Sequence, residues 1–451
     1  MKKTILMFCL MCSISPILFA QTWFVAGTGN DVNDGKTLKT AFRSLQKAAD
    51  IVQAGDKVWV DNGIYTNADK SNGSAVLSIK TSGKPDAWIT WQAVKGSKPD
   101  IRPTGWAGIQ ISGSYHIIDG LTVTGSNDSI VLLHAQEDGK KPTPNPYFNT
   151  NGIFVNGRNN KPDAKPHHNI IRNCVVTKCP GGGIAAIETD YLTVEDCQVS
   201  DNAWFMRYGG SGITTLNNWA FDDAAGYHII IQRNFVWNNK TLVNWEKIGK
   251  LSDGNGILLD VTDQNRAGAT NPNADAVVKK DTIAPIDNKP KRPEWKGRAL
   301  IANNLSAFNG GSGIHTFRTK HVDIINNTTY HNGGIVGYAE LFANASEDVV
   351  ILNNIIVPRP AGKVTANSNK NINIRWDYNL YPTAQNILKG AHDLIADPQF
   401  INPQADILRG DFRLEKGSSA LKSGCDEVPQ ATDITGKSRP KKDRDRGAFE
   451  Q

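Results

Sequence analysis

Between Gly183 and Asn354 the chain alternates two short patterns of apolar and small polar residues. One is a Gly-Ile pair opening an apolar run, at Gly183-Ile184, Gly212-Ile213, Gly256-Ile257 and Gly313-Ile314, with Gly152-Ile153 upstream. The other sets an aliphatic residue three places before a small or amide one: Val194/Cys197, Ile231/Asn234, Ile301/Asn304, Ile324/Asn327 and Ile351/Asn354, with Ile117/Gly120 and Ile171/Cys174 before them. Where nothing intervenes the repeat is 23 residues, as from Cys174 to Cys197 and from Asn304 to Asn327. Short β-branched runs broken by Gly and Asn, with no helical period, predict strands. A period of this length predicts a solenoid, in which turns stacked about 4.8 Å apart bury a core that no single turn can. Asn at a tight corner tolerates a left-handed backbone and bonds to its counterpart one turn away. Asn234, Asn304, Asn327 and Asn354 should therefore form an internal ladder, with Cys174 and Cys197 in the same slot. The expectation is an all-β, right-handed parallel β-helix.

The turns differ in their inserts. Gly183 to Cys197 and Gly313 to Asn327 span 14 residues, Gly152 to Cys174 and Gly212 to Asn234 span 22, and Gly256 to Asn304 spans 48. All three insertions follow the Gly-Ile strand and should wall a groove on one side, the longest covering about residues 264–298. An amphipathic stretch with Leu45, Ala48, Ala49 and Val52 on one face should cap the open first turn. The predicted organisation is a signal peptide over 1–20, a cap and first turn over 21–70, the coil over 71–392 and a closing segment over 393–451.

Lys2 and Lys3 before an apolar run ending at Ala20 read as a secretory signal, placing the protein outside the cell, in the periplasm or on the surface. Its removal lowers the formal charge from +6 to +4, which suits an acidic partner and not a nucleic acid. No later stretch reaches the ~20 apolar residues of a membrane span. Cys174 and Cys197 should point into the core side by side, as thiols. The chain is expected to be a monomer.

The run Phe24 to Gly35, with Phe42, Leu45, Ala48, Gly55-Asp56, Val60 and Gly63-Ile64-Tyr65, resembles the opening of secreted β-helix polysaccharide lyases such as the family-nine pectate lyases. Ala396 to Phe400, Asp411 to Leu414, Asp433 to Gly436 and Gly447 to Glu450 resemble the tails of the same group. The resemblance implies a carbohydrate-active enzyme cleaving an acidic, uronate-containing polysaccharide by β-elimination. The stretch Ser252 to Leu259 resembles the strand that carries the catalytic lysine in those lyases, but this chain has Leu258 at that place. The turn Gly212 to Asn217 lacks their clustered-aspartate calcium motif.

The base should therefore be sought elsewhere, and three neighbouring turns supply candidates. Lys250, His315 and Arg318 are basic groups able to neutralise a carboxylate or take a proton. Asp253, Asp260 and Asp263 offer oxygen ligands to Ca²⁺. Trp204, Arg207, Tyr208 and Trp219 offer ring faces and charge to sugars. With Ile257 and Leu259 inward, Leu258 and Asp260 should face out; with Ile314 and Thr316 inward, His315 and Phe317 should. Two alternatives stand beside the lyase: a glycoside hydrolase pairing Asp260 with Asp263 or Glu188, and a polysaccharide-binding solenoid without catalysis.

Overall fold

The computed structural model describes residues 20–67, 73–262, 292–368 and 370–451. The expected signal peptide, up to residue 19, and most of the longest insertion, including Asp263, lie outside the described residues. Three parallel sheets wind into a right-handed β-helix, holding eleven, eight and eleven strands among the described residues. A full turn gives one strand to each sheet: Asp190–Glu195, Gln198–Ser200 and Ile213–Leu216 pair in register with Tyr227–Gln232, Phe235–Trp237 and Ile257–Asp260 of the next. Alternate residues point inward and stack like on like. The column Ile153, Ile184, Ile213, Ile257, Ile314 and Leu341 is wholly buried.

The expected ladder runs through the corner between the two eleven-stranded sheets. Each Asn Oδ1 accepts the backbone N–H of the preceding rung: Cys197 to Asn234 at 3.0 Å, Asn234 to Asn304 at 2.9 Å, Asn304 to Asn327 at 3.0 Å and Asn327 to Asn354 at 2.9 Å. The left-handed residue is one place earlier than expected: Asn173, Asp196, Arg233, Asn303, Asn326 and Asn353 have φ between 53° and 58°. The corner is turned before the rung, which leaves the rung's amide free to face its neighbour. Gly120 accordingly takes that left-handed position, at φ 72°, and Leu121 fills the ladder slot. A second ladder, which the sequence reading missed, occupies the next corner five residues on. Asn202, Asn239, Asn309 and Asn332 bond in succession at 2.9–3.1 Å, and Glu340 ends the row, accepting the Asn332 backbone N–H at 2.9 Å. The four cysteines among the described residues, Cys174, Cys179, Cys197 and Cys425, are buried free thiols.

A short helix, Leu45–Ala49, capped by the Ser44 hydroxyl, buries Leu45, Ala48 and Ala49 on the first turn. At the other end, residues 400–448 lay Phe400, Ile407, Phe412 and Leu414 against Leu305, Ala307, Ile355 and Val357 on the outside of the last strands. Among the described residues no helix is long and apolar enough to cross a membrane.

Candidate functional site

The connections after Asn156, Leu216 and Asp260 all run from the eight-stranded sheet to the first eleven-stranded one. Asp190 ties two of them down: its carboxylate accepts from Phe221 N at 2.9 Å, Trp295 Nε1 at 2.9 Å and His228 Nδ1 at 3.0 Å. The facing bank is built from connections entering the sheet, which carry Tyr208, Trp245, Lys250 and Tyr338. Between the banks the outer face of the eight-stranded sheet floors a groove of about 1360 Å³. Its floor is a column of one residue per strand, including Gln110, Phe154, Ala185, Thr214, Leu258, His315 and Phe342 in register.

His315 lies on this floor, 8% exposed. Phe342 stacks on it with ring centres 4.0 Å apart, and Tyr338 meets it edge-on at 5.8 Å. Neither ring nitrogen has a hydrogen-bond partner among the described residues. Burial with no compensating charge pushes its pKa down to about 3, so the imidazole is neutral, with one N–H and one lone pair unspent. Tyr338 Oη lies 3.3 Å from Ser252 Oγ, and burial raises the phenol's pKa. Tyr338 was not foreseen from the sequence. Its signal was position: it follows the glycine-rich stretch 333–337, in the same connection of its turn that holds Lys250 and Tyr208 in theirs.

Of the other expected site residues, Lys250, Tyr208, Asp253 and Asp260 line this groove. Four do not. Arg318 is buried at the corner after its strand, with its guanidinium 4.3 Å over the Phe317 ring. Arg207 is spent on the bank's scaffold, pairing Nε with Glu246 at 2.7 Å and donating Nη1 to the Asp138 carbonyl at 3.1 Å. Trp204 donates Nε1 to Asn238 O at 3.1 Å and packs behind the bank with Phe205. Trp219 is buried under Lys165, whose ammonium lies 4.5 Å over the ring. Arg207, Trp204 and Trp219 pack connections against the coil, and large side chains beside the groove serve that packing. Glu188 is likewise taken, ion-paired with Lys165 at 2.5 Å.

Of the three expected Ca²⁺ ligands only Asp253 and Asp260 are described, and by themselves these two do not make a Ca²⁺ site. Among the described residues no three His, Cys, Asp or Glu side chains converge. Asp253 precedes the strand Ile257–Asp260 and Asp260 ends it, so the two carboxylates stand toward opposite banks, whereas Ca²⁺ takes six to eight oxygens. No catalytic step is derived through a metal.

The groove's charge is one-sided. Lys80, Arg158, Lys247, Lys250 and Lys363 line it against Asp253 and Asp260. Trp106, Tyr208, Trp245 and Tyr338 add flat aromatic faces.

A family model described as the Pel9A-like right-handed β-helix region matches residues 23–348. Among solved structures, pectate lyase Pel9A is similar at 16% identity and TM-score 0.54, covering 97% of this chain and 98% of that one. A rhamnogalacturonan lyase aligns at 13% identity and TM-score 0.48, over 86% and 93% of the two chains. A lacto-N-biosidase from Eubacterium ramulus aligns at 12% identity and TM-score 0.41, over 80% and 67%. No curated protein matches the sequence. At these identities the structural likeness carries the coil and not the chemistry. The family match spans well over half the chain and agrees with the sheets, corners and groove: this protein belongs to the Pel9A-like right-handed β-helix family.

Proposed function

We propose that the protein is an exported enzyme that cleaves an acidic, uronate-containing polysaccharide by β-elimination in this groove. The observation that supports it best is the charge of the groove, five basic side chains facing two carboxylates. A polyanion gains from that imbalance along its whole length. A hydrolase would need a cooperating carboxylate pair, and Asp253 and Asp260 sit toward opposite banks.

β-Elimination needs a cation at the substrate carboxylate, a base for the proton beside it and an acid for the leaving oxygen. Lys250 is the cation. His315 takes the proton: its ring is neutral and its lone pair unspent. A bound uronate carboxylate would favour the imidazolium and offset the low basicity that burial imposes. Tyr338, held protonated by its raised pKa, gives its proton to the glycosidic oxygen as the bond breaks. Leu258, beside His315 in register, contributes an apolar wall where the related lyases carry lysine.

The test is incubation with polygalacturonate, rhamnogalacturonan, alginate and glycosaminoglycans, read by far-ultraviolet absorbance of the unsaturated product and by reducing ends. Absorbance rising together with reducing ends is expected. Reducing ends without absorbance would mean hydrolysis, and binding without either would mean a non-catalytic solenoid.

A further inference from the structure

Arg158 stands at the other end of the groove from His315, and its surroundings prepare it for a ligand. It follows the strand Asn151–Asn156 and folds back over the floor, its guanidinium 5.3 Å over the Phe154 ring. Asn156 Oδ1 accepts from both its backbone N–H, at 3.2 Å, and its Nε, at 3.1 Å. That double contact fixes the direction of the guanidinium plane. Neither terminal nitrogen has a hydrogen bond or an ion pair among the described residues, so the outer fork of the guanidinium is unspent. Desolvation lowers its pKa, against the opposing field of Glu188 and Tyr208. Glu188 itself is committed to Lys165. Tyr208 reaches in from the facing bank and Lys80 lines the same end of the groove. Arg158 is open to solvent, and an oriented guanidinium with both outer nitrogens open is the geometry that binds a carboxylate through two parallel hydrogen bonds.

Phe154 and His315 belong to the same floor column, four strand spacings apart. At about 4.8 Å per spacing that is about 19 Å, a span of several sugar residues.

We propose that Arg158, aimed by Asn156 and floored by Phe154, is a remote subsite for a uronate carboxylate, which grips the chain several residues from the point of cleavage and makes the protein selective for long, unesterified polyuronates. The inference rests on the acidic-polysaccharide reading of the groove, but concerns binding and not the chemical step. The guanidinium replaces one carboxylate's hydration with two charge-assisted bonds. Methyl esterification of the sugar removes the charge and one acceptor, and so removes the grip.

The experiment is calorimetric binding of polygalacturonate, alginate and hyaluronan to the wild type, Arg158→Gln and Arg158→Lys, with methyl-esterified polygalacturonate as the uncharged partner. For the polyuronate bound best, Arg158→Gln should weaken binding about tenfold or more, as loss of hydrogen bonds to a charged group does. Arg158→Lys should recover part of the affinity. The methyl ester should bind all three proteins alike. Unchanged thermal melting of the variants marks them as folded. Equal affinity of wild type and Arg158→Gln for the polyanion, equal loss for the ester, or no binding of any of the three polyuronates by the wild type would each overturn the subsite. Arg158-dependent binding without unsaturated product would leave the subsite standing and remove the lyase reading; product formed equally well by Arg158→Gln would do the reverse.

Discussion

The internal ladder makes a quantitative demand of Asn304. Its side chain is wholly buried and makes four hydrogen bonds. Nδ2 donates to Ile231 O at 2.9 Å and to Asn327 Oδ1 at 2.9 Å. Oδ1 accepts from the Asn234 backbone N–H at 2.9 Å and from Asn234 Nδ2 at 3.0 Å. Asn304→Ala deletes all four and leaves the Asn234 backbone N–H in a dry corner. At about 1 kcal/mol for each bond the loss is about 4 kcal/mol, a large part of the 5–15 kcal/mol that holds a typical domain together. Because each turn is stabilised chiefly by its neighbours, a broken rung should also split the unfolding transition, the two halves of the coil melting apart. Urea unfolding followed by circular dichroism and by tryptophan fluorescence reads both effects. The same reasoning gives the opposite sign at Cys197, whose backbone N–H already donates to Asn234 Oδ1. Cys197→Asn extends the ladder by one rung and should be neutral or stabilising. A loss below about 1 kcal/mol for Asn304→Ala, or a larger loss for Cys197→Asn, would refute the ladder as a source of stability.

Glu340 is fully buried, and desolvation raises its pKa from the ordinary 4.5 to about 8, against the two N–H groups of Asn332. The fold thus favours the protonated form, so the stability it contributes is complete below about pH 4.5 and is lost as the pH rises through about 8. The wild-type urea midpoint should fall across that window more steeply than that of Glu340→Gln; parallel curves would remove the argument. His315, displaced to about 3 by burial, should show no imidazole titration by NMR between pH 5 and 8, and an inflection near 6.5 would contradict its enclosure. Tyr338→Phe keeps the ring beside His315 and removes the hydroxyl shared with Ser252. Lyase kcat should fall by about 10² to 10⁴-fold with KM nearly unchanged, and full activity would reassign the acid.

The coil was legible because its determinants are local and repeated. A β-branched run, an amide at a corner and a 23-residue step recur often enough that one sequence states the rule many times over. The inward and outward alternation on the Ile257 and Ile314 strands was equally readable, since the strand period is fixed at two. Even the second ladder was there to be read, each Asn five residues beyond the first, although only its bonding shows that it is one. The site was legible only by strand. Asp260 and His315 could be placed in the groove from their registers, whereas Lys250, Arg207, Arg318 and Trp219, which lie in connections, could not be sorted into binding groups and packing groups until the tertiary contacts were known. Tyr338 and Arg158 meet the groove from connections, and the course of such connections is set by contacts distant in sequence, such as Arg207 with Asp138, 69 residues apart, and Phe221 with Asp190, 31 residues apart. Along a strand the backbone dictates where a side chain points; in a connection only the neighbours it packs against do. That is why the sequence alone determines the cylinder, and only the tertiary structure decides which of the residues around it face a ligand.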